Sequence, residues 1–382
     1  GWDEWYGVAG NYLSHMLNEN GHIVNYDPEN DYDTDVLSEK ATDYVERTAG
    51  ADPPFFTTDR PFLMWVGTKA PHQPATPAPR HEDDLSEVEL PRGPSFDEKD
   101  VSDKPRWVSD NPPLSAEQKR YMEELHRKRL QSMLAVDDMI GDLMESLKES
   151  GELDDTFIFF TSDNGFHLGQ HRLGAGKWTA YEEDIRVPLI VRGPGVPEGE
   201  TLPHMVLNND LAPTFAELAG ARTPEFVDGR SLVPLLNEEP APLENWRRAF
   251  VVEAVAERSG APQPPFVNES SVAPLLTGDP LPKDWRRTSA ATAELSEEWG
   301  RPWLKALRTE NYLYVHYKTG EHELYDLRRD PHQLHNFYKS APPELVGRLE
   351  AQLESLEQCE GAECRAAEDG LTPEDGRAVE VV

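Results

Sequence analysis

Three short segments carry side chains that can act on an anionic ester. The first is TSDNGFHLGQH, where Asp163 and Asn164 set a carboxylate beside an amide oxygen. Two hard oxygens of this kind suit calcium or magnesium. The letters SDNG also read as a plain Asx turn, because Asp, Asn and Gly favour turns for local reasons. The second segment is KAPHQP, with His72 between Pro71 and Pro74. An imidazole there can donate to an ester oxygen or act as a general acid; the alternative is a loop histidine with no role. The third is GAGKWTAYEEDIRVPLIV, in which Lys177 is either a point charge for a sulfate or phosphate oxygen or a solvated surface lysine. Gly174 and Gly176 allow the backbone to approach a ligand closely. His167 and His171 are candidates for the mouth of the same pocket. A metal-ligand pair, an imidazole and an ammonium are the equipment for holding an oxyanion ester and stabilising charge on its oxygens. No Gly-x-Ser-x-Gly accompanies them and neither cysteine lies near, so a nucleophile in a familiar setting is lacking.

These segments sit at the ends of predicted elements. Residues 61–67 (PFLMWVG) predict a buried strand just before His72. Residues 156–160 (TFIFF) predict a strand buried on both faces that runs into SDNG. Residues 187–192 (VPLIVR) predict another, after Lys177. Ser115 and Gln118 fit a capping box, and Leu125, Leu130, Met133, Leu134, Ile140, Leu143 and Leu147 recur at helical spacing up to Gly151. Asp210 is read as the cap of a short helix that reaches Leu218 and stops at Gly220. Buried strands alternating with amphipathic helices predict an α/β fold, a mostly parallel sheet with helices on both faces. Ligand sites in such sheets lie at the carboxyl ends of strands.

The second half contains a partial repeat, FVDGRSLVPLLNEEPAPLENWRR at 226–248 and FVNESSVAPLLTGDPLPKDWRR at 266–287. Two copies are too few for a solenoid, which points to a duplicated loop region over 226–300. After it, YLYVHYK, the turn KTGE and ELYDL predict a hairpin, followed by a helix from Pro343 to about Leu356. The organisation expected is a core over 1–225, the duplicated region, and a small C-terminal antiparallel subdomain with its helix over 301–382.

The 382 residues carry 71 acidic and 37 basic side chains, a net charge of -34. Such a surface repels nucleic acid. It fits either adaptation to high salt or an ordinary acidic enzyme. No apolar run approaches the length of a membrane span. No signal peptide is seen, and the opening GWDEWYGVAG reads like the interior of a domain. Cys359 and Cys364, in CEGAEC, are either a local disulfide fitting an exported, periplasmic or extracellular protein, or two free thiols.

The segments APHQP, FFTSDNGFHLGQHRL, GKWTAYEEDIRVPLIVRGPGV, NNDLAPTFAELAG, VDGRSLVPLL, ALRTENYLYV and ELYDLRRDP, in this order, resemble the type I sulfatases of the alkaline phosphatase superfamily. GWDEWYG, LNENG, RLQSMLAVDD and QCEGAEC resemble its N-acetylglucosamine-6-sulfatase-like branch. The resemblance implies an alkaline phosphatase-like fold and hydrolysis of a sulfate ester by a formylglycine hydrate beside a bound calcium ion. It implies that Asp163 and Asn164 are metal ligands and that His72 and Lys177 contact the sulfate. The family's formylglycine arises from a Cys/Ser-x-Pro/Ala-x-Arg motif, which is absent here, as are the paired aspartates that complete its metal site. Both are expected in a segment preceding Gly1. The expectation is therefore a sulfatase core incomplete at its N-terminus, and a fragment inactive alone. Its partner would be a small-molecule or glycan sulfate ester such as N-acetylglucosamine 6-sulfate, with no nucleic acid and no membrane span. Two competing readings are a phosphoric ester hydrolase of the same superfamily and a non-catalytic remnant that binds sulfated glycan.

Overall fold

The computed structural model describes residues 2–8, 15–27, 30–49, 61–254 and 303–370. They fall into two units. The first contains residues 1–90 and 123–156. It opens with a three-stranded antiparallel sheet of β1 (Tyr6–Val8), β2 (Met16–Glu19) and β3 (His22–Asn25). The β2–β3 turn is Asn20–Gly21, both at positive φ (52° and 97°), the pairing that a two-residue hairpin demands. Helix α1 (Asp33–Ala49) begins with Asp33 and Asp35 and ends with Arg47, in the sense that its dipole favours. Arg47 grips both oxygens of Glu4 at 2.9 and 3.0 Å. Arg80 grips Asp35 and also Asp138 of a long helix introduced below.

Residues 61–66 do not form the buried strand expected. They form no regular element, and exposure alternates along them: Phe62, Met64 and Val66 are half-buried, while Leu63 and Trp65 are 55% and 66% exposed. A strand needs a ladder partner, and none is present among the described residues. Phe62 instead lays its ring edge against Tyr44 of α1, centroids 5.9 Å apart.

Among the described residues, the second unit contains 91–122, 157–254 and 303–370. In chain order its described elements are α2 (Arg106–Ser109), the start of α3 (Ala116–Glu149), β4 (Ile158–Thr161), α4 (Glu182–Ile185), β5 (Leu189–Arg192), α5 (Leu211–Leu218), β6 (Ala249–Ala254), β7 (Leu304–Thr309), β8 (Tyr312–Tyr317), β9 (His322–Asp326), α6 (Pro343–Glu357) and α7 (Ala362–Glu368). The α3 capping box forms in both directions: Gln118 N donates to Ser115 Oγ at 3.2 Å and Ser115 N to Gln118 Oε1 at 2.8 Å. From Glu123 onward α3 belongs to the first unit.

Every described strand pair is antiparallel, so the mostly parallel sheet read from the sequence is not among these pairings. Strands β4 and β5 show why. The chain between them holds one four-residue helix rather than a crossover over the sheet face, and it returns to pair Thr161 with Leu189. β4 is also half-buried rather than enclosed on both faces, and Ile190 of β5 is 62% exposed. Phe159 packs edge-on against Phe215 of α5, centroids 5.0 Å apart, beside Leu211, Leu232, Leu235 and Trp246.

The C-terminal antiparallel sheet is present, in the order β6-β7-β8-β9. Its first strand, β6, comes from the region assigned above to the duplicated loop. Period-two alternation sorts its side chains. Leu313, Val315 and Tyr317 face Trp107, Val108, Ala180 and Tyr181. Leu307, Tyr314 and Leu324 face Leu345, Leu349, Leu353 and Leu356 of α6. The first repeat copy is part of the core, with Leu232, Leu235, Trp246 and Arg247 buried. The second copy, 266–287, lies outside the described residues.

Asp210 does not cap α5 with its side chain. Its carboxylate accepts from Leu207 N at 2.7 Å and Arg230 N at 2.9 Å and lies against the Arg247 guanidinium, both side chains fully buried. A neighbouring buried cation outcompetes a local cap. Gly220 does end α5, with φ +67° and Ala221 N reaching back to Ala216 O at 2.7 Å. Cys359 and Cys364 form a disulfide at the α6–α7 corner, Cα atoms 4.9 Å apart. The corner needs glycine: Gly361 has φ +59°, and a Cβ there would stand 2.2 Å from the Glu225 carbonyl oxygen.

Candidate functional site

β4 delivers the chain to Ser162, Asp163, Asn164 and Gly165. Asn164 N donates to Asp163 Oδ1 at 2.8 Å and Ser162 Oγ to Asn164 O at 2.9 Å, so the turn is locally closed. It is also tied from outside. Gly165 N donates to Asp184 O at 2.8 Å and Phe166 N to Glu183 O at 2.7 Å. A side chain at 165 would meet the Glu183 carbonyl at 2.0 Å, which explains the glycine. The Asn208 amide donates to Ser162 O and Asp163 O at 3.1 and 3.0 Å. Asp163 is left exposed and Asn164 half-buried.

Lys177 comes to this turn. Its Nζ donates to Asn164 Oδ1 at 2.9 Å. The loop bearing it is fixed through His167: His167 N donates to Gly176 O at 2.9 Å and Gly176 N to His167 O at 3.1 Å. His167 Nδ1 lies 2.9 and 3.0 Å from the two Asp184 oxygens, and Thr179 N and Oγ1 donate to Asp184 Oδ2 at 3.0 and 2.7 Å. Asp163, Asn164 and Lys177 thus form one cluster of carboxylate, amide oxygen and ammonium at the end of β4.

His167 and His171 are not pocket-mouth residues. Both are buried, at 6% and 0% exposure. His167 holds the Lys177 loop, as described. His171 lies flat on Tyr181, ring centroids 4.0 Å apart, with Nδ1 2.6 Å from Glu98 Oε2. Burial, with the Lys104 ammonium nearby, pushes its imidazole down to about 3. Burial pushes Glu98 up to about 7 against the pull of Lys104. Lys104 donates to Gln333 O at 2.6 Å and Tyr325 OH at 3.2 Å, and Tyr181, Tyr317 and Tyr325 all donate to Glu323. This buried polar network joins the 98–104 segment to the C-terminal sheet.

His72 belongs to the first unit. It sits in a tight turn, with its N–H on Lys69 O at 2.7 Å and its carbonyl accepting from Ala75 N at 2.8 Å. Its Nδ1 lies 2.7 Å from Gln73 O, and Arg129 donates to Pro71 O at 3.0 Å. Asn208 and Asp184 escaped the sequence reading. Both act on backbone or on another side chain from a distance in sequence, and NNDLAP and YEEDI show nothing of that.

The donors at the end of β4 suit a hard divalent cation in kind but not in number. Calcium takes six to eight oxygens. Asp163 and Asn164 are two ligand side chains with at most three oxygens between them, and no group of three His, Cys, Asp or Glu able to hold a metal occurs among the described residues. No helix among those residues is long and apolar enough to cross a membrane.

The chain is 33% identical over 375 residues to the N-acetylglucosamine-6-sulfatase of Bos taurus, covering 96% of this chain and 63% of that protein. It therefore spans less than two thirds of that relative's length. The solved structure of BT4656 in complex with its substrate D-glucosamine-2-N,6-O-disulfate matches with a TM-score of 0.71 at 23% identity, over 94% of this chain and 76% of that one. A phosphonate monoester hydrolase from Silicibacter pomeroyi matches with a TM-score of 0.60 at 22% identity, over 86% and 59%. At those identities the likeness shows the fold, the alkaline phosphatase-like fold of the sulfatases. The Sulfatase family model matches residues 2–221, and the chain belongs to the Sulfatase family.

Proposed function

We propose that this chain forms part of a sulfuric ester hydrolase acting on a sulfated carbohydrate, with N-acetylglucosamine 6-sulfate as the nearest substrate type. The observation that carries the reading is the Lys177 ammonium held 2.9 Å from Asn164 Oδ1, beside the exposed Asp163 carboxylate, in a Sulfatase-family chain. Lys177 would neutralise a sulfate oxygen as charge develops on it. His72 would contact the sulfate and donate a proton. Asp163 and Asn164 would be two ligands of a calcium ion whose remaining oxygen ligands come from elsewhere in the protein. Such an ion, when held there, would supply polarisation of the sulfate oxygens. The 382 residues contain no Cys/Ser-x-Pro/Ala-x-Arg motif, so the attacking group is not among the residues assigned here, and the chain alone is expected to turn over no aryl sulfate. A phosphate or phosphonate monoester is the competing substrate, since that fold is shared with a phosphonate monoester hydrolase. The test joins an intact sulfatase N-terminal segment to this chain and compares rates on glucosamine 6-sulfate and glucosamine 6-phosphate. A clear preference for the sulfate is expected; preference for the phosphate would overturn the reading. Binding of the sulfated sugar without any turnover would favour a glycan-binding role.

A further inference from the structure

Trp178 follows Lys177 and breaks two ordinary rules at once. Its backbone has φ +87°, a region that a bulky residue enters only under strain. Its indole is nevertheless 47% exposed, so the strain is not offset by burying the ring. The strained conformation is imposed from both sides. Gly176 is paired to His167 in both directions, and Thr179 is bound through N and Oγ1 to Asp184, which also holds the His167 ring. His167, Thr179 and Asp184 are all buried. One buried carboxylate therefore fixes the loop on each side of residue 178. The outcome is that Lys177 reaches Asn164 while its Nζ also stands 5.9 Å from the Trp178 ring centroid. An aromatic face flanks the ammonium at the end of β4.

We propose that Trp178 is a specificity-determining residue: its indole face is the platform for the pyranose ring whose sulfate group Lys177 binds. This rests on the sulfated-carbohydrate reading above. A sulfate needs charge, which Lys177 supplies. A pyranose has an apolar C–H face, which a flat, partly exposed aromatic ring beside that charge can cover. The two adjacent side chains then recognise the two parts of one ligand. The backbone strain is the consequence of aiming neighbouring side chains at the same ligand.

The test is calorimetric titration of the 382-residue protein with glucosamine 6-sulfate and, separately, with inorganic sulfate. Trp178→Ala is expected to weaken glucosamine 6-sulfate about five- to tenfold and to leave inorganic sulfate within twofold. Trp178→Phe should recover most of the sugar affinity. Lys177→Ala should weaken both probes. Trp178→Gly, which relieves the positive φ, should lose the sugar preference while melting no lower than the wild type, separating recognition from folding. If Trp178→Ala changes neither probe while Lys177→Ala weakens both, the platform is refuted and the sulfate site stands. If Trp178→Ala weakens both probes equally, Trp178 only positions Lys177, and the platform is again refuted. If Lys177→Ala changes neither probe, the underlying reading fails first.

Discussion

The buried Asp210–Arg247–Glu368 cluster provides a stringent test of what holds the second unit together. Arg247 is 1% exposed and Asp210 0%. The guanidinium donates to both Asp210 oxygens and, at 3.0 Å, to Glu368 Oε2 on α7. Arg247→Leu keeps most of the apolar volume and removes the cation. Asp210 would then retain only the Leu207 and Arg230 backbone N–H groups, and Glu368 only Arg230. Breaking a buried pair by removing one partner costs about 3–5 kcal/mol, because the other charge stays buried without compensation. An exposed pair such as Arg222–Glu225 should cost about 0–1 kcal/mol. Urea unfolding followed by circular dichroism measures both. Asp210→Asn combined with Arg247→Leu should recover part of the loss, since a neutral amide oxygen can still accept the two N–H groups. A loss below about 1 kcal/mol for Arg247→Leu would mean that the cluster contributes no more than an exposed pair.

Other expectations follow from particular groups. Replacing Cys359 and Cys364 by serine opens a loop with a sequence separation of 5, so loop-closure entropy sets the loss at about 2 kcal/mol, read as a lower unfolding midpoint; no shift would contradict it. Burial raises Glu98 to about 7 from 4.5, so the native state keeps a proton that the unfolded chain has lost, and this group's contribution falls as pH rises from 4.5 through 7. His171, lowered to about 3 from 6.5, acts in the opposite sense, its contribution being lost as pH falls through that window. Glu98→Gln removes the first effect alone. The stability of wild type relative to the variant should therefore decline between pH 5 and 8, by at most about 1.4 kcal/mol per pH unit, and a difference independent of pH would contradict this. Deleting residues 264–300, which contain the second repeat copy, should leave expression and melting temperature intact, because a duplicated segment has no prepared place in a filled core; a collapse of either would place it in the core.

Local signals in the sequence were read correctly where the responsible contacts are local. The Ser115–Gln118 capping box, the Gly220 stop and the β8–β9 hairpin each depend on residues a few positions apart. Asn164 and Lys177 meet across 13 positions of one loop system. Errors arose where distant partners decide. TFIFF looks the same whether its neighbour runs parallel or antiparallel, and only the return of the chain to Leu189 settles the direction. Asp210 looks like a helix cap until Arg247, 37 positions away, claims its carboxylate. His167 and His171 look like exposed loop histidines until Asp184 and Glu98 bury them. Trp178 lies inside the GKWTAYEE segment, but nothing in the letters marks it apart from Lys177; its backbone conformation and exposure single it out.

Handling of an ester's sulfate is the role proposed for the end of β4. Its most direct test is kcat/KM on an aryl sulfate for this chain joined to an intact sulfatase N-terminal segment, with and without Lys177→Ala. Turnover is expected in the parent and a loss of about ten- to a thousandfold in the variant, the effect of removing one charge-stabilising donor. Turnover unchanged by Lys177→Ala would contradict it.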